Sequence, residues 1–282
     1  MNIQWYPGHM TKAKRQIAED IKLVDIIIEI LDARAPLSSR NPDIVSLGNG
    51  KKSVILLGKS DLADPASLKA FEEYFTSKGA FCAAIDSRKK ADIKKVRALV
   101  DEAAAEKKAR DLKRGIKNRP VRVMVAGIPN AGKSTFINTF AGKSVAKTAD
   151  RPGVTRGKQW IRPGGNIELL DTPGILWPKF DDERVGLCLT ATGAIKDAVT
   201  DTNEVALFLV DYLKEHYAGA LNERYGVDES ASLQDMLENI AVNRKFLKSG
   251  GESDLDRAAL MILEEFREGK LGRMSLEEVP AY

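Results

Sequence analysis

Gly127-Ile128-Pro129-Asn130-Ala131-Gly132-Lys133-Ser134 fits the pattern G-x-x-x-x-G-K-S, with VRVMVAG (121–127) leading into it and TFINTFAG (135–142) following. The leading run has the β-branched, unbroken apolar character of a buried strand, and the following run has helical spacing. Strand, glycine-rich loop and helix in that order make a phosphate cradle. Glycine lets backbone N–H groups turn inward, and a helix N-terminus carries positive partial charge. Pro129, Asn130, Ala131, Gly132, Lys133, Ser134 and Thr135 are therefore expected to line a nucleotide site. Lys133 is expected to reach the β- and γ-phosphates, and the Ser134 hydroxyl to ligate Mg2+.

Downstream, IELL (167–170) ends on Asp171-Thr172-Pro173-Gly174, a D-x-x-G element. Asp171 is expected to hold Mg2+ through water, and the Gly174 N–H to face the γ-phosphate. Between the two motifs, RPGVTRG (151–157) supplies Thr155, the candidate switch threonine that closes on the metal. The base-reading element lies on the other side. SVILL (53–57) meets Gly58-Lys59-Ser60-Asp61, and AFCAAI (80–85) meets Asp86-Ser87, the expected accessory base loop. An Asp61 carboxylate accepts from the guanine N1 and N2 donors, a pair that adenine lacks. Base loop, accessory loop, P-loop, switch threonine and D-x-x-G in this order describe a GTPase with circularly permuted motifs.

The rest of the chain supplies the architecture. VDIIIEIL (24–31) reads as a strand running into the loop at 32–42, and helices are expected over Pro65–Lys78 and Asp92–Lys117. Strands alternating with helices argue for a mostly parallel sheet flanked by helices, an α/β domain over residues 1–178. Beyond Trp177-Pro178 the sequence turns to amphipathic segments, Glu204–Tyr217, Leu233–Phe246 and Leu255–Glu268, and an all-α domain is expected over 179–282.

Composition narrows the class. The chain has 282 residues, 43% hydrophobic and 30% charged, which fits a globular protein and excludes a disordered one. No apolar run reaches bilayer length, and the N-terminus lacks a secretory or transit pattern, so a cytoplasmic protein without membrane contact is expected. Two cysteines, Cys82 and Cys188, without a CxxC or Cys/His cluster argue against a zinc site or a disulfide framework. Residues 1–178 carry 32 Lys and Arg against 19 Asp and Glu, a net of +13, and 179–282 carry 12 against 21, a net of −9. The first part is the better polyanion-facing surface.

WYPGHM (5–10), LDARAPLSSRNP (31–42), GIPNAGKST (127–135), DRPGVT (150–155), LLDTPGILWPKF (169–180) and TGAIKD (192–197) resemble segments of the ribosome biogenesis GTPase A family, bacterial permuted GTPases that assist late assembly of the large ribosomal subunit. The resemblance spans nearly the whole chain. It implies GTP and GDP as ligands and the large subunit, rRNA and ribosomal proteins, as partner. Turnover stimulated by the particle, release on hydrolysis and a helical RNA-contacting domain are further implications. Lys196, Arg244, Lys245 and Lys248 are the candidate RNA contacts, the last three on one expected helix and its end. A monomer is expected. The rival reading is a nucleotide-regulated RNA- or protein-binding module acting outside ribosome assembly.

Two departures from common GTPase patterns stand out. Ile175 follows D-x-x-G where many GTPases place a water-orienting glutamine, and isoleucine cannot hydrogen-bond water. The resemblance implies His9 in that catalytic role, beside Lys133 and Thr155, and it allows K+ on Asn130 as in related potassium-activated GTPases. Gly58 stands where the base loop ordinarily has Asn. The missing amide predicts a looser loop, and Gly58→Asn is then expected to tighten GDP binding.

Overall fold

The computed structural model describes residues 8–142, 159–177, 180 and 182–280, with side chains from residue 14 onward except that of Gln159. These residues fall into two compact units, one containing 8–177 with 277–280, the other 180–276. The sequence division near residue 178 does not anticipate that the chain's end lies with the first unit.

The first unit is built on six strands: β1 (Ile26–Asp32), β2 (Lys52–Gly58), β3 (Phe81–Ala84), β4 (Val121–Gly127), β5 (Gln159–Ile161) and β6 (Ile167–Asp171). Their order is β3-β2-β1-β4-β6-β5, parallel throughout except for β5, which runs antiparallel to β6. β1, β4 and β6 are buried almost end to end, as unbroken apolar runs with both faces covered must be. The order places β4, the P-loop strand, beside β1, and all five parallel strands deliver their C-terminal ends to one edge. That edge is where ligands bind in open α/β sheets. β3 and β2 bring the loops expected to read the base to it, and β6 brings D-x-x-G.

Helices α1 (Gly8–Ile21), α2 (Pro42–Leu47), α3 (Pro65–Ser77), α4 (Lys90–Ala103), α5 (Ala105–Lys113) and α6 (Lys133–Ala141) cover the sheet. α3 begins where Asp64 accepts from the Ser67 N–H at 2.8 Å with Pro65 in the first turn, and it buries Leu68, Phe71 and Phe75. The single helix expected over Asp92–Lys117 is instead two, breaking at Ala104. The chain leaves helical geometry after Lys113, with Gly115 and Asn118 at positive φ.

The second unit is helical: α7 (Glu183–Ala191), α8 (Thr202–His216), α9 (Ala220–Tyr225), α10 (Leu233–Asn243) and α11 (Leu255–Arg267). Asp182, Asp201, Ser232 and Asp254 cap α7, α8, α10 and α11. α10 ends at Asn243, three residues earlier than its pattern suggests. There Lys245 takes a left-handed φ of 57°, while the Phe246 N–H bonds the Ala241 carbonyl at 2.8 Å. No helix among the described residues is long and apolar enough to cross a membrane.

The charge that interrupts VDIIIEIL is buried. Glu29 is 2% exposed, accepts from the Asn41 N–H at 3.2 Å, and has the Arg40 guanidinium 3.6 Å away. Burial pushes its carboxyl up to about 7, against the weaker opposing pull of Arg40 and Asn41. A raised carboxyl favours folding in its protonated form, so this stability is fully present below the unfolded value near 4.5 and is lost as pH rises toward 7. Glu29→Gln should abolish that loss. Urea unfolding at pH 8 should find the variant more stable than the parent by up to about 3 kcal/mol, with the difference closing near pH 5.

Candidate functional site

The P-loop joins β4 to α6 by geometry that side chains would obstruct. A Cβ on Gly127 would sit 2.6 Å from the Ile30 carbonyl oxygen of β1, and Gly132 has a φ of 91°. No side chain caps α6, so the cap leaves its first N–H groups available to an anion. Pro129 and Ala131 shape the loop between the glycines. Asn130 is exposed with a left-handed φ of 58°, a conformation asparagine tolerates better than most residues. The hydroxyl-bearing Ser134 and Thr135 lie in the first turn of α6, both partly exposed.

The end of β6 closes on the same loop. Lys133 Nζ meets Asp171 Oδ1 at 3.0 Å, both side chains buried. Thr172 Oγ1 donates to the Val125 carbonyl of β4 at 2.8 Å. Gly174 lies so close that a Cβ there would be 3.1 Å from Pro129 N and Cα. Ile175 is 3% exposed and belongs to a buried cluster with Ile17, Ile21, Ile27 and Ile44. Its carbonyl accepts from Asn41 Nδ2 at 3.2 Å.

The base-reading loops arrive from the opposite side. A Cβ on Gly58 would lie 3.1 Å from the Ala131 carbonyl oxygen, so the end of β2 touches the P-loop backbone directly. Lys59 takes a left-handed φ of 57° and its Nζ bonds Asp32 Oδ2 at 2.8 Å. The Ser60 N–H bonds the Ile85 carbonyl at 3.2 Å, which couples the base loop to its accessory loop. Arg88 bridges the two acids: it bonds Asp61 Oδ2 at 2.7 Å and takes Asp86 through Nε at 2.8 Å and its terminal nitrogen at 2.9 Å. The Arg88 hydrogen bond holds the Asp86 carboxyl down at about 2, against the opposing effect of burial. Ser87 Oγ is buried without a hydrogen-bond partner, 3.8 Å from where a Cβ on Gly132 would stand.

Lys59, Ser60, Asp61, Asp86, Ser87, the P-loop, Asp171 and Gly174 thus gather at one sheet edge. Thr155 and the side chain of His9 lie outside the described residues. Sequence reasoning missed Asp32, Arg34, Asn41 and Arg88. The first three stand in LDARAPLSSRNP, and their signal was polar residues packed into a strand-end loop.

The helix expected to carry three of the candidate RNA contacts ends before them. Arg244, Lys245 and Lys248 do not share a helix, because α10 stops before them. Arg244 serves packing: a terminal nitrogen bonds the Arg224 carbonyl at 3.0 Å and its guanidinium lies over the Tyr225 ring. Lys248 pairs loosely with Asp256 at 3.7 Å, both side chains being exposed. Lys196 and Lys245 are exposed.

Comparison with known proteins agrees with this geometry. The family described as 50S ribosome-binding GTPase matches residues 122–246, from the P-loop strand onward. Ribosome biogenesis GTPase A of Bacillus cereus is 45% identical over 98% of this chain and 94% of its own length. Its counterpart from Thermotoga maritima is 33% identical over 98% and 94%. Among solved structures, GNP-bound YlqF from T. maritima superposes with a TM-score of 0.66 at 28% identity, covering 95% of this chain and 98% of that one. GDP-bound TM YlqF gives 0.67 at 27% identity, covering 94% and 99%.

Gly58 stands at a close approach, which weighs against the expectation that asparagine there would help. Its Cβ position is also 3.2 Å from the Ile30 side chain and 3.3 Å from the Leu31 carbonyl oxygen, so each of these neighbours would have to yield by a few tenths of an ångström. Gly58→Asn should lower stability by about 1–3 kcal/mol, as overpacking does, and GDP should bind no more tightly than to the parent. Chemical denaturation and titration with a fluorescent GDP analogue check both parts.

Proposed function

This chain belongs to the ribosome biogenesis GTPase A family, and on that premise we propose that it is a GTP-hydrolysing factor that binds the large-subunit precursor, promotes its late maturation and leaves on hydrolysis. The observation that carries the nucleotide part is the convergence of two loops on one P-loop backbone, Gly58 against Ala131 and Gly174 against Pro129. A guanine-reading loop and a γ-phosphate sensor held by the same loop respond to one ligand. Asp61 accepts from the guanine N1 and N2 donors, with Lys59, Ser60, Asp86 and Ser87 around the base. In the bound form, Lys133 turns from Asp171 to the phosphates.

Mg2+ suits the donors present. Among the described residues no group of three His, Cys, Asp or Glu could form an all-protein cage. Mg2+ is ordinarily bound by phosphate oxygens and waters with one or two protein oxygens, which Ser134 and Thr155 would supply, while Asp171 would hold the ion through a water. When bound, it neutralises charge on the β- and γ-phosphates. The left-handed backbone of Asn130 accounts for that residue type without a K+ ion.

His9 is assigned to the chemical step because the place of the glutamine is held by Ile175, whose side chain is buried in the core. An imidazole orients or deprotonates water at neutral pH. His9→Ala should lower particle-stimulated turnover by roughly 10²- to 10⁴-fold with GDP affinity unchanged. Single-turnover hydrolysis at saturating GTP with large-subunit particles reads this, and equal rates would remove His9 from the mechanism.

Docking rests on cations that folding does not use. Lys245 fills a helix-ending, left-handed position where glycine is favoured, which costs stability and puts an exposed cation at the end of α10. On the first unit, Arg110, Lys113, Arg114 and Lys117 are exposed along and beyond α5. Sedimentation with large-subunit particles across a salt series, in a nonhydrolysable GTP analogue and in GDP, tests the proposal. Binding should be tighter with the analogue and fall steeply with salt. Lys245→Gly should flatten the log–log slope by about one unit while raising stability by up to about 1 kcal/mol. Binding indifferent to both salt and nucleotide would leave a GTPase that acts outside ribosome assembly.

A further inference from the structure

Beneath the base loop sits a buried ion cluster that contact with nucleotide does not explain. Asp32 ends β1 and stands in register opposite Gly58. Its carboxylate takes Arg34 twice, Nε on Oδ1 at 2.9 Å and a terminal nitrogen on Oδ2 at 2.8 Å, and takes Lys59 Nζ on Oδ2 at 2.8 Å. The Arg34 backbone N–H adds a bond to Oδ1 at 3.1 Å, while the Asp32 N–H donates to Ser39 Oγ at 3.0 Å. Asp32 and Arg34 are 2% and 1% exposed, and the Lys59 side chain 26%. Burial alone would push the Asp32 carboxyl up, but the charges and hydrogen bonds of Arg34 and Lys59 outweigh it and hold the group well below the usual carboxylate range.

Charge balance does not require the lysine. One guanidinium already neutralises one carboxylate, so the second cation is held for where it stands. Lys59 has the flexible stem of its type, a strained left-handed backbone, and Asp61 two residues beyond it. The Asn that ordinarily tethers such a loop is absent, with Gly58 in its place. We propose that Asp32, braced by Arg34, is a positioning residue for guanine recognition: it anchors Lys59 and thereby sets the place of the Asp61 carboxylate. The proposal rests on the reading of residues 58–61 as the guanine loop.

The test compares GDP with IDP, which lacks the N2 donor, by calorimetric titration of the full chain. Lys59→Met keeps the stem and removes the amine, and Asp32→Asn keeps the shape and removes the charge. Each should weaken GDP binding roughly tenfold, the scale of one charge-assisted hydrogen bond, and should narrow the ratio of GDP to IDP affinity. The double variant should bind no more weakly than either single one, because both break one link. Lys59→Arg, which can still reach Asp32, should restore the ratio. Should Asp32→Asn fail to fold, Asp32→Glu keeps the charge for Arg34 but shifts the carboxylate by one methylene, and should narrow the ratio in the same way. Unchanged GDP affinity in Lys59→Met would sink the guanine-loop reading itself. A loss in Lys59→Met without a narrowed ratio in either Asp32 variant, or losses that multiply in the double variant, would overturn the anchoring role alone.

Discussion

The site depends on backbone meeting backbone at the C-terminal edge of a parallel sheet. Three glycines permit it: Gly127 against the Ile30 carbonyl, Gly58 against the Ala131 carbonyl and Gly174 against Pro129, where a Cβ would stand 2.6 to 3.1 Å from its neighbour. Such spacing fixes the separation of the GKSD loop, the P-loop and the D-x-x-G segment without help from side-chain rotamers. A ligand that must touch all three is then gauged against a rigid frame. The constraint also explains why the order of motifs along the chain is unimportant. What the site needs is the strand order β2-β1-β4-β6, and the parallel pairing of β1 with β4 supplies the junction between the two halves of the permuted sequence.

The loop between β1 and α2 is the second organising element. Asp32 and Arg34 hold Lys59 at one end, and Asn41 holds the Ile175 carbonyl at the other. In its middle, the Leu37 and Ser38 N–H groups donate to the Glu277 carboxylate at 2.6 and 2.9 Å, and Ser38 Oγ adds a further short bond. Val279 and Leu37 both pack against the cluster that contains Leu31, Leu57, Phe71 and Phe75. A loop of nine residues, 33–41, together with Asp32 before it, therefore carries ties to the base loop, the D-x-x-G segment and the end of the chain. Each tie spends polar groups that would otherwise be costly to bury, which is why a loop so rich in serine, arginine and asparagine sits mostly inside.

Much of this was legible in the sequence because the relevant signals are local. Unbroken β-branched runs gave the strands, and the P-loop, D-x-x-G and K-x-D elements declared themselves by fixed spacing next to those runs. Tertiary pairing is not local, and there the reading ran out. Nothing in GKSD says that its lysine reaches back 27 positions to Asp32, or that its glycine abuts Ala131. Helix ends failed for a related reason. The pattern of Leu233–Phe246 stays amphipathic past Asn243, but a left-handed Lys245 ends the helix, and no propensity favours lysine in that role.

Charge was the least readable property, because a residue's sign says nothing about whether folding already uses it. Arg34, Arg88, Arg97 and Arg244 all count toward a basic surface in the sequence. In the structure the first braces a buried acid, the second bridges Asp61 and Asp86, the third bonds the Phe140 and Pro163 carbonyls, and the fourth bonds the Arg224 carbonyl. Phosphate contact releases counterions only from cations that still have them, so the excess of +13 over residues 1–178 overstates the surface open to a polyanion. The same count understates its focus. Residues 112–119, LKRGIKNR, are exposed throughout and contain four cations and no acid, together with Leu112 at 65% and Ile116 at 41% exposure. Positive charge not spent on folding thus concentrates on one short segment of the first unit. In the acidic second unit it is left to single residues such as Lys196 and Lys245, so the positive field is strongest on the first unit.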